Sequence, residues 1–463
     1  MSSPTIKQND GQNTTQAVQT VGGLEILTRS ENPYEDYRYF YRDGMPLRPA
    51  PERRTPKPSW STLRHNIFDK WHYVRDEWTY DSLQTRLLDD HMWQTDEQGN
   101  ALAEMFKRVG AKKGRADFET ALNQGIETLN DPEPELVEFF NHVDHLPDWL
   151  DLEAAERGRV AYYNVTPSAE LLSIAFAYWA TAMEDRTSAA TGQTGMFENK
   201  AMQRVKETVQ FFVDLGRNGV FDRYSDGFKA AVRVRVAHAQ ANRGLERLWG
   251  KDHYNTFGRP IGSSFLVSGE GWFALMPLAI DEFFGRPHSG QEWDDVAMYW
   301  AYVLYVMGAE DRIIPKTGDE MRKMTDYIYA NGGMSSDYRV QIATALMNVL
   351  EEIDKKIPYI VLGALTLIIG EDDVRFMVKD TKWENATLKP IAAAYAAKAR
   401  AEAAVYRAKD ALPGAAKRKQ KRAQDGRPPW WDNFELVQKH LEKNNLDIKA
   451  DYSLHDTSAE AQR

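Results

Sequence analysis

The sequence predicts an all-α protein with a single large helical domain. Apolar residues recur at helical spacing through most of residues 59–405, and no segment shows the sustained two-residue alternation of an exposed strand. With 463 residues, of which 42% are hydrophobic, the chain is long enough to bury a large core. We therefore expect a helical domain over residues 59–405, preceded by residues 1–58 and followed by a tail at 406–463.

The two terminal regions differ from this core in composition. Residues 1 to about 30 contain few apolar residues, which predicts disorder, and the Tyr-, Arg- and Pro-rich residues up to 58 predict an extended arm on the folded body. The basic run KRKQKR at 417–422 is typical of a solvated linker or of a patch for nucleic acid or membranes. Beyond this linker, Trp430 and Trp431 are expected to dock on the domain before a partly disordered tail.

Composition excludes several classes of function. The net charge of -10 argues against nucleic acid as a main partner, because phosphate binding requires a cationic surface. The absence of cysteine excludes disulfides, iron–sulfur clusters and thiolate-ligated haem, and it agrees with a cytoplasmic location. No signal peptide is visible, and the longest apolar run, 357–370, is shorter than the roughly 20 residues of a membrane span, so we expect a soluble protein.

Several helices can be placed from local signals. The almost uniformly apolar LLSIAFAYWATAM at 171–183 is typical of a fully buried helix, and Pro134 suits the first turn of another. On that second helix, His142 and His145 have a spacing that would suit a metal. Without a convincing third ligand, surface or capping roles are the alternative for both histidines.

Residues 204–243 hold the most informative pattern, two helices joined by a short polar turn. In the first helix, Arg204 and Thr208 are four residues apart and therefore share one face. In the second, Val234, His238 and Ala241 share a face, so His238 is expected to point where this apolar stripe points.

A histidine on an apolar helix face has two interpretations. It is a neutral core histidine whose ring nitrogens bind nearby carbonyl groups, or it is an axial ligand of iron beside a flat apolar cofactor. The pattern alone does not separate the two.

The segment EDRTSAATGQTGMFENKAMQ at 184–203 leads directly into the Arg204 helix. It is rich in Gly and Thr, but it lacks the lysine of a phosphate-binding loop after its second glycine, and no strand pattern precedes it. These observations favour a loop that lines a ligand pocket at a helix entry over a nucleotide site.

The central pair of helices resembles the family that contains the bacterial latex-clearing protein, a rubber oxygenase, and the fungal oxygenase of the mycophenolic acid pathway. The resemblance rests on Arg204, Thr208 and, about thirty residues later, His238 within VRVRVAHAQANR. Two further blocks match at Pro147, Trp149, Asp151, Arg157 and Gly158, and at Gly258, Pro260, Ile261, Trp300, Gly308 and Pro315.

The resemblance implies a haem b pocket inside the helical domain. His238 would be the proximal ligand of the haem iron, and Arg204 and Thr208 would shape the catalytic site from the neighbouring helix. Arg204, Arg233 and Arg235 are candidates to pair with the haem propionates, since guanidinium groups bind carboxylates bidentately. For Arg233 and Arg235, ordinary surface ion pairs are the alternative.

The implied activity is that of a haem-dependent oxygenase that uses dioxygen on a hydrophobic substrate, an alkene or an isoprenoid. Rubber oxygenases also use a glutamate upstream of the Arg helix and a lysine just before its Thr. Here Glu207 precedes Thr208, and Ser188, Ala190 or Thr191 stand where the acid is needed. Polyisoprene is therefore not predicted as the substrate. Two alternatives to an oxygenase stay open: a carrier of haem or of a hydrophobic ligand without turnover, and a helical scaffold without a cofactor.

Overall fold

The structure is a computed structural model that describes residues 17–52, 61–68, 81–217, 222–333 and 337–444. Within these ranges almost all regular structure is helical, so the predicted all-α class is confirmed. Trp60, Trp71 and Trp78, which fall within the predicted helical domain of residues 59–405, lie outside the described residues, as do residues 1–16 and the end of the tail from 445.

The first half of the fold contains a small hairpin and the helices that carry the family blocks. The bounds are β1 (Ala17–Val21), β2 (Leu24–Leu27), α1 (Pro33–Asp36), α2 (Ser61–Phe68), α3 (Leu83–Asp90), α4 (Glu97–Val109), α5 (Ala111–Gln124), α6 (Pro134–Val143), α7 (Leu152–Tyr163), α8 (Pro167–Met183), α9 (Asp185–Thr194), α10 (Met196–Gly216) and α11 (Asp226–Phe257).

All regular structure among the described residues of the second half is helical. Its bounds are α12 (Ser263–Glu270), a π-helical turn (Gly271–Leu275), α13 (Met276–Phe283), α14 (Gly290–Val306), α15 (Gly318–Ala330), α16 (Arg339–Ile353), α17 (Ile357–Ile369), α18 (Glu371–Val378), α19 (Lys389–Asp410), α20 (Ala415–Gln424) and α21 (Trp431–Lys443). One large hydrophobic core joins helices from α2 to α21.

The antiparallel hairpin β1–β2 lies in a region for which disorder was predicted. That prediction is wrong for residues 17–27, because β2 buries Ile26 beside Leu47 of the following arm. The arm itself was predicted correctly. Its Arg48 is completely buried and is hydrogen-bonded to Asp90 at the end of α3, which fixes the arm to the helical domain.

The predicted central helix pair is confirmed as α10 and α11. Ser225 caps α11 by accepting a hydrogen bond from the backbone amide of Phe228 at 3.1 Å. The predicted buried helix is α8, which begins at Pro167 after the cap residue Thr166 and buries nearly its whole length. These elements form the frame of the site described below.

The predicted loop at 184–203 is wrong, because most of this segment is helical. Glu184 caps α9 by accepting a hydrogen bond from the amide of Thr187, and α9 continues to Thr194. Gly195, in the left-handed region with φ 63°, then separates α9 from α10. Ala189 and Ala190 are buried, so small residues here serve close packing between helices rather than loop flexibility.

The basic run also belongs to a helix, α20, which packs beside α7 and not as a solvated linker. Lys419 pairs with Glu292 at 3.1 Å, and Arg422 donates a hydrogen bond to Asn164. The boundary predicted at residue 405 lies inside α19. The predicted docking of the following segment is confirmed for Trp430, which is 3% exposed.

A second apolar stretch was missed in the sequence. Among the described residues, Ser263–Phe283 is long and apolar enough to cross a membrane by length and composition, and 82% of its most apolar window is buried in the protein. Core helices of soluble proteins have the same properties, so this stretch is weak evidence for a membrane span.

Candidate functional site

A cavity of about 460 Å³ lies between α8, α10, α11, α12, α16, α17 and α21. Its walls are mostly apolar and include Ile174, Val209, Phe212, Phe265, Leu350 and Ile357. This volume falls within the roughly 300–1,000 Å³ that is typical of cofactor and small-molecule sites. The cavity can therefore hold a sizeable apolar group away from water.

His238 lines this cavity from α11. Burial is the main cause that lowers the pKa of His238, to about 4, and the nearby Arg204 charge lowers it further. Its Nδ1 atom is buried and has no hydrogen-bond partner among the described residues. The ring is therefore neutral at pH 7, and its Nδ1 atom lacks the carbonyl partner that a core histidine would be expected to have.

Arg204 and Thr208 line the same cavity from α10. The Thr208 hydroxyl donates a hydrogen bond to the carbonyl oxygen of Arg204 at 2.9 Å, one turn earlier in the helix. Burial lowers the pKa of Arg204, and an ion pair with Glu207 at 3.7 Å acts against this shift. The structure thus brings Arg204, Thr208 and His238 together at one cavity.

Arg233 and Arg235 lie elsewhere. Arg235 forms a bidentate ion pair with Asp96 at 2.7 and 2.8 Å, and its remaining nitrogen lies 3.0 Å from Nδ1 of His142. Arg233 pairs with Glu119 at 2.7 and 2.9 Å. Neither arginine lines the cavity, so haem propionates there would have to break these ion pairs to reach them.

Two comparisons with known proteins gave a match, one to a family model and one to a solved structure. Residues 168–367 match the family model described as ER-bound oxygenase mpaB/B'/Rubber oxygenase, catalytic domain. Residues 168–367 thus resemble the catalytic domain of this oxygenase family. No curated protein sequence matches the chain. Among solved structures, "Structure of Latex Clearing Protein LCP in the closed state" matches with a TM-score of 0.52 and 16% identity, over 76% of this chain and 91% of that one.

The protein is thus an oxygenase, which makes it an oxidoreductase, and its matched range contains α9 to α11 and all of α8 except Pro167. The family block before this range has a structural function in the oxygenase. Asp151 caps α7, Arg157 forms a bidentate ion pair with Asp295 at 2.8 and 2.9 Å, and Gly158 allows α7 to approach the backbone of α14 closely. Of the later family block, which lies inside the matched range, Ile261 and Trp300 line the cavity.

The acid and lysine of rubber oxygenases have no counterparts in register in this oxygenase. Glu207 accepts a hydrogen bond from Gln203 at 2.8 Å, while the Lys206 ammonium group lies 5.4 Å from the Phe434 ring. Upstream, the Ser188 hydroxyl binds the carbonyl oxygen of Asp185, and Glu184 caps α9. Glu198, another acid upstream of Arg204 that is out of register with the family pattern, has a side chain outside the described part of the chain.

Glu170 on α8 is a cavity residue that the sequence analysis missed. It is 2% exposed, and its Oε2 atom has no hydrogen-bond partner among the described residues. Burial, with a smaller contribution from Asp281, raises the pKa of Glu170 to about 8. The sequence does place Glu170 on one helical face with Ile174 and Tyr178. An acid in the first turn of a helix is also a common capping feature, so this position alone did not identify Glu170 as a cavity residue.

Proposed function

We propose that this oxygenase depends on haem b, that His238 is the axial ligand of its iron, and that it uses dioxygen to oxidise a hydrophobic substrate with an alkene or terpenoid character. The observation that carries the proposal is the neutral His238 ring in a mostly apolar cavity, with an Nδ1 atom that has no hydrogen-bond partner among the described residues. A metal ligand must offer an unprotonated nitrogen, and the lowered pKa of His238 provides one at neutral pH.

The other cavity residues fit the same group. Arg204 is the cationic side chain that lines the cavity, and it is the candidate to bind a propionate. In the described part of the chain, no group of three His, Cys, Asp or Glu side chains could hold a metal ion directly, whereas haem needs one protein ligand. When bound, haem with one histidine ligand supplies a site for dioxygen.

The walls determine which substrates are accepted and keep water away. Phe212, Phe265 and Phe273 surround the cavity with aromatic surface, and Leu350, Ile353 and Ile357 close it from α16 and α17. Such walls favour a hydrocarbon chain and exclude water from reactive oxygen species. We expect this oxygenase to act in the cytoplasm, in agreement with its lack of cysteine.

A second candidate is a carrier of haem or of a hydrophobic ligand without turnover. The missing acid and lysine favour it, because Ser188 and Glu207 stand where rubber oxygenases have groups that take part in the reaction. Dioxygen uptake distinguishes the two candidates, since a carrier gives ligand-induced spectral changes but no uptake.

The test begins with the visible spectrum of the purified protein. We expect a Soret band that His238→Ala abolishes or shifts strongly, while His145→Ala, at an exposed position on the chain after α6, leaves it unchanged. We further expect dioxygen uptake and carbonyl products with a panel of terpenoid alkenes. A colourless protein after haem reconstitution, or an unchanged band in His238→Ala, would falsify the haem proposal.

A further inference from the structure

The face of α8 that lines the cavity carries one carboxylic acid. Glu170, Ile174, Ala177, Tyr178 and Thr181 lie on this face, and the eleven steps from the first residue to the last correspond to about 16 Å along the helix axis. The cavity therefore extends along α8 for several turns, with Glu170 at the end where α8 begins.

His238 belongs to the other part of the cavity. Arg204 and Tyr178 line the cavity together with His238, and the Arg204 charge acts to lower the pKa of both Tyr178 and His238. Tyr178 lies eight residues after Glu170, a distance of about 12 Å along α8. A substrate that reaches from His238 to Glu170 would thus be elongated, with its two ends in different chemical surroundings.

The surroundings of Glu170 are defined by α21. Asn433 of α21 donates a hydrogen bond to the carbonyl oxygen of Pro167 at 3.0 Å, one turn before Glu170. Trp430, just before α21, also lines the cavity, and its indole Nε1 atom has no hydrogen-bond partner among the described residues. Glu170 Oε2 and Trp430 Nε1 are thus two cavity atoms without a partner among the described residues, and Glu170 is the carboxylic acid among the lining side chains that are described.

Leaving such groups unsatisfied is unfavourable. An unpaired buried polar atom costs about 1–3 kcal/mol, so native proteins rarely keep one without a function. With a pKa of about 8, Glu170 is mostly uncharged at pH 7. A neutral carboxyl group has one O–H donor and one carbonyl acceptor, which suits a neutral oxygen group and not an ammonium ion.

We propose that Glu170 binds a hydroxyl or carbonyl oxygen at one end of the substrate, so that the substrate of this oxygenase is an oxygen-bearing hydrocarbon such as a terpenoid alcohol. This inference rests on the proposed function for the reaction at the His238 end. Glu170 is then a specificity-determining residue, and it fixes which part of the hydrocarbon chain lies near His238.

The test measures binding of two matched probes to the full-length protein by calorimetry. The probes are citronellol and the hydrocarbon with the same carbon skeleton but no hydroxyl group. We expect citronellol to bind about tenfold more tightly, as one buried hydrogen bond predicts. Glu170→Met, which keeps the length of the side chain, removes this preference, and Glu170→Gln, which keeps a donor and an acceptor, retains most of it.

Glu138→Leu, at an exposed position on α6, is the matched control and keeps the full preference. Infrared difference spectroscopy gives a second measurement that does not depend on the folding of Glu170→Met. Citronellol shifts the C=O band of a protonated carboxyl group in the unmodified protein, and Glu170→Gln lacks this signal. Equal binding of both probes, or an unchanged preference in Glu170→Met, overturns the inference.

A Soret spectrum of each sample separates this inference from the proposed function. A normal haem band without a preference for citronellol contradicts the role of Glu170 alone. A colourless protein that still prefers citronellol contradicts the haem proposal alone and supports the role of Glu170.

Discussion

His238 and Arg204 face one cavity from neighbouring helices, and the positive charge of Arg204 lowers the pKa of His238. The two residues are 34 positions apart in the sequence, and the contact between α10 and α11 brings them together. Arg204 thus has an electrostatic effect in addition to any contact with a ligand, because it helps to keep the His238 ring unprotonated.

Arg204→Gln is expected to raise the pKa of His238 from its value of about 4, without restoring the ordinary value of about 6.5, because burial remains the larger cause. The measurement is an NMR titration of the haem-free protein with labelled histidines, in which His238→Gln identifies the signal. Arg233→Gln is the control, since Arg233 pairs with Glu119 outside the cavity. Equal shifts in both variants would contradict the assigned effect.

Neutral burial of His238 also predicts a pH dependence of stability. Between pH 6.5 and about 4 the unfolded chain binds a proton at His238 and the folded haem-free protein does not, so stability falls as the pH is lowered through this window. The contribution is roughly 3 kcal/mol. Urea unfolding of the haem-free protein at several pH values should show a shallower acid slope for His238→Gln, and parallel slopes for the two proteins would contradict it.

Arg204, Thr208 and His238 could be placed at one site from the sequence, because helical spacing fixes which residues share a face and the family resemblance selects the faces that meet. Glu170 could not be identified as a cavity residue in this way, because spacing does not reveal whether its carboxyl group has a hydrogen-bond partner after folding. The ion pairs of Arg233 and Arg235 could not be predicted from the sequence either, because their partners Glu119 and Asp96 are more than a hundred residues away in the chain.

The errors in the predicted fold have similar physical causes. Gly192, Gly195 and the threonines between 187 and 194 have low helix propensity, yet close packing of α9 against the core stabilises a helix there. In Ser263–Phe283, Gly271 and Pro277 suggest a break, but a π-helical turn at Gly271–Leu275 lets the apolar stretch continue. Tertiary contacts thus overrode local preference at both places.

Glu170 predicts a pH effect of the opposite sign to that of His238. Its pKa in the folded protein is about 8, above the ordinary value of about 4.5, so between these values the folded state holds a proton that the unfolded chain has released. Stability therefore falls as the pH rises through this window, by roughly 4 kcal/mol. Glu170→Gln should be more stable than the unmodified protein at pH 8 and similar at pH 4 by urea unfolding, and equal stability at both would contradict the raised pKa.

Gly158→Ala is expected to destabilise the contact between α7 and α14. A Cβ atom at position 158 would lie 1.9 Å from the backbone oxygen of Asp295, which cannot move without shifting α14. Overpacking of this kind costs about 3 kcal/mol or more. Gly290→Ala is the control, because a Cβ atom there meets no atom within 4 Å. Thermal unfolding should show a large loss for the first variant alone, and similar melting temperatures for both would refute the close approach.

The arm depends on a buried ion pair, and this gives the sharpest prediction for residues 17–52. Arg48 and Asp90 have no exposed side-chain surface, and the guanidinium group also donates hydrogen bonds to the carbonyl oxygens of Tyr37 and Tyr39. Arg48→Met would leave the Asp90 carboxylate buried without its cation, at a cost of about 3–5 kcal/mol.

Arg42→Met is the matched control, since Arg42 and Glu97 form an exposed pair whose loss costs at most about 1 kcal/mol. Limited proteolysis of the arm and urea unfolding measure both variants. We expect rapid cleavage within residues 28–52 for Arg48→Met, because the arm detaches from α3 when the pair is lost. Double replacement with Asp90→Leu should recover part of the stability, since no unpaired charge then remains buried. Equal protease resistance in Arg48→Met and Arg42→Met would show that the arm is held by its apolar contacts around Leu47 instead.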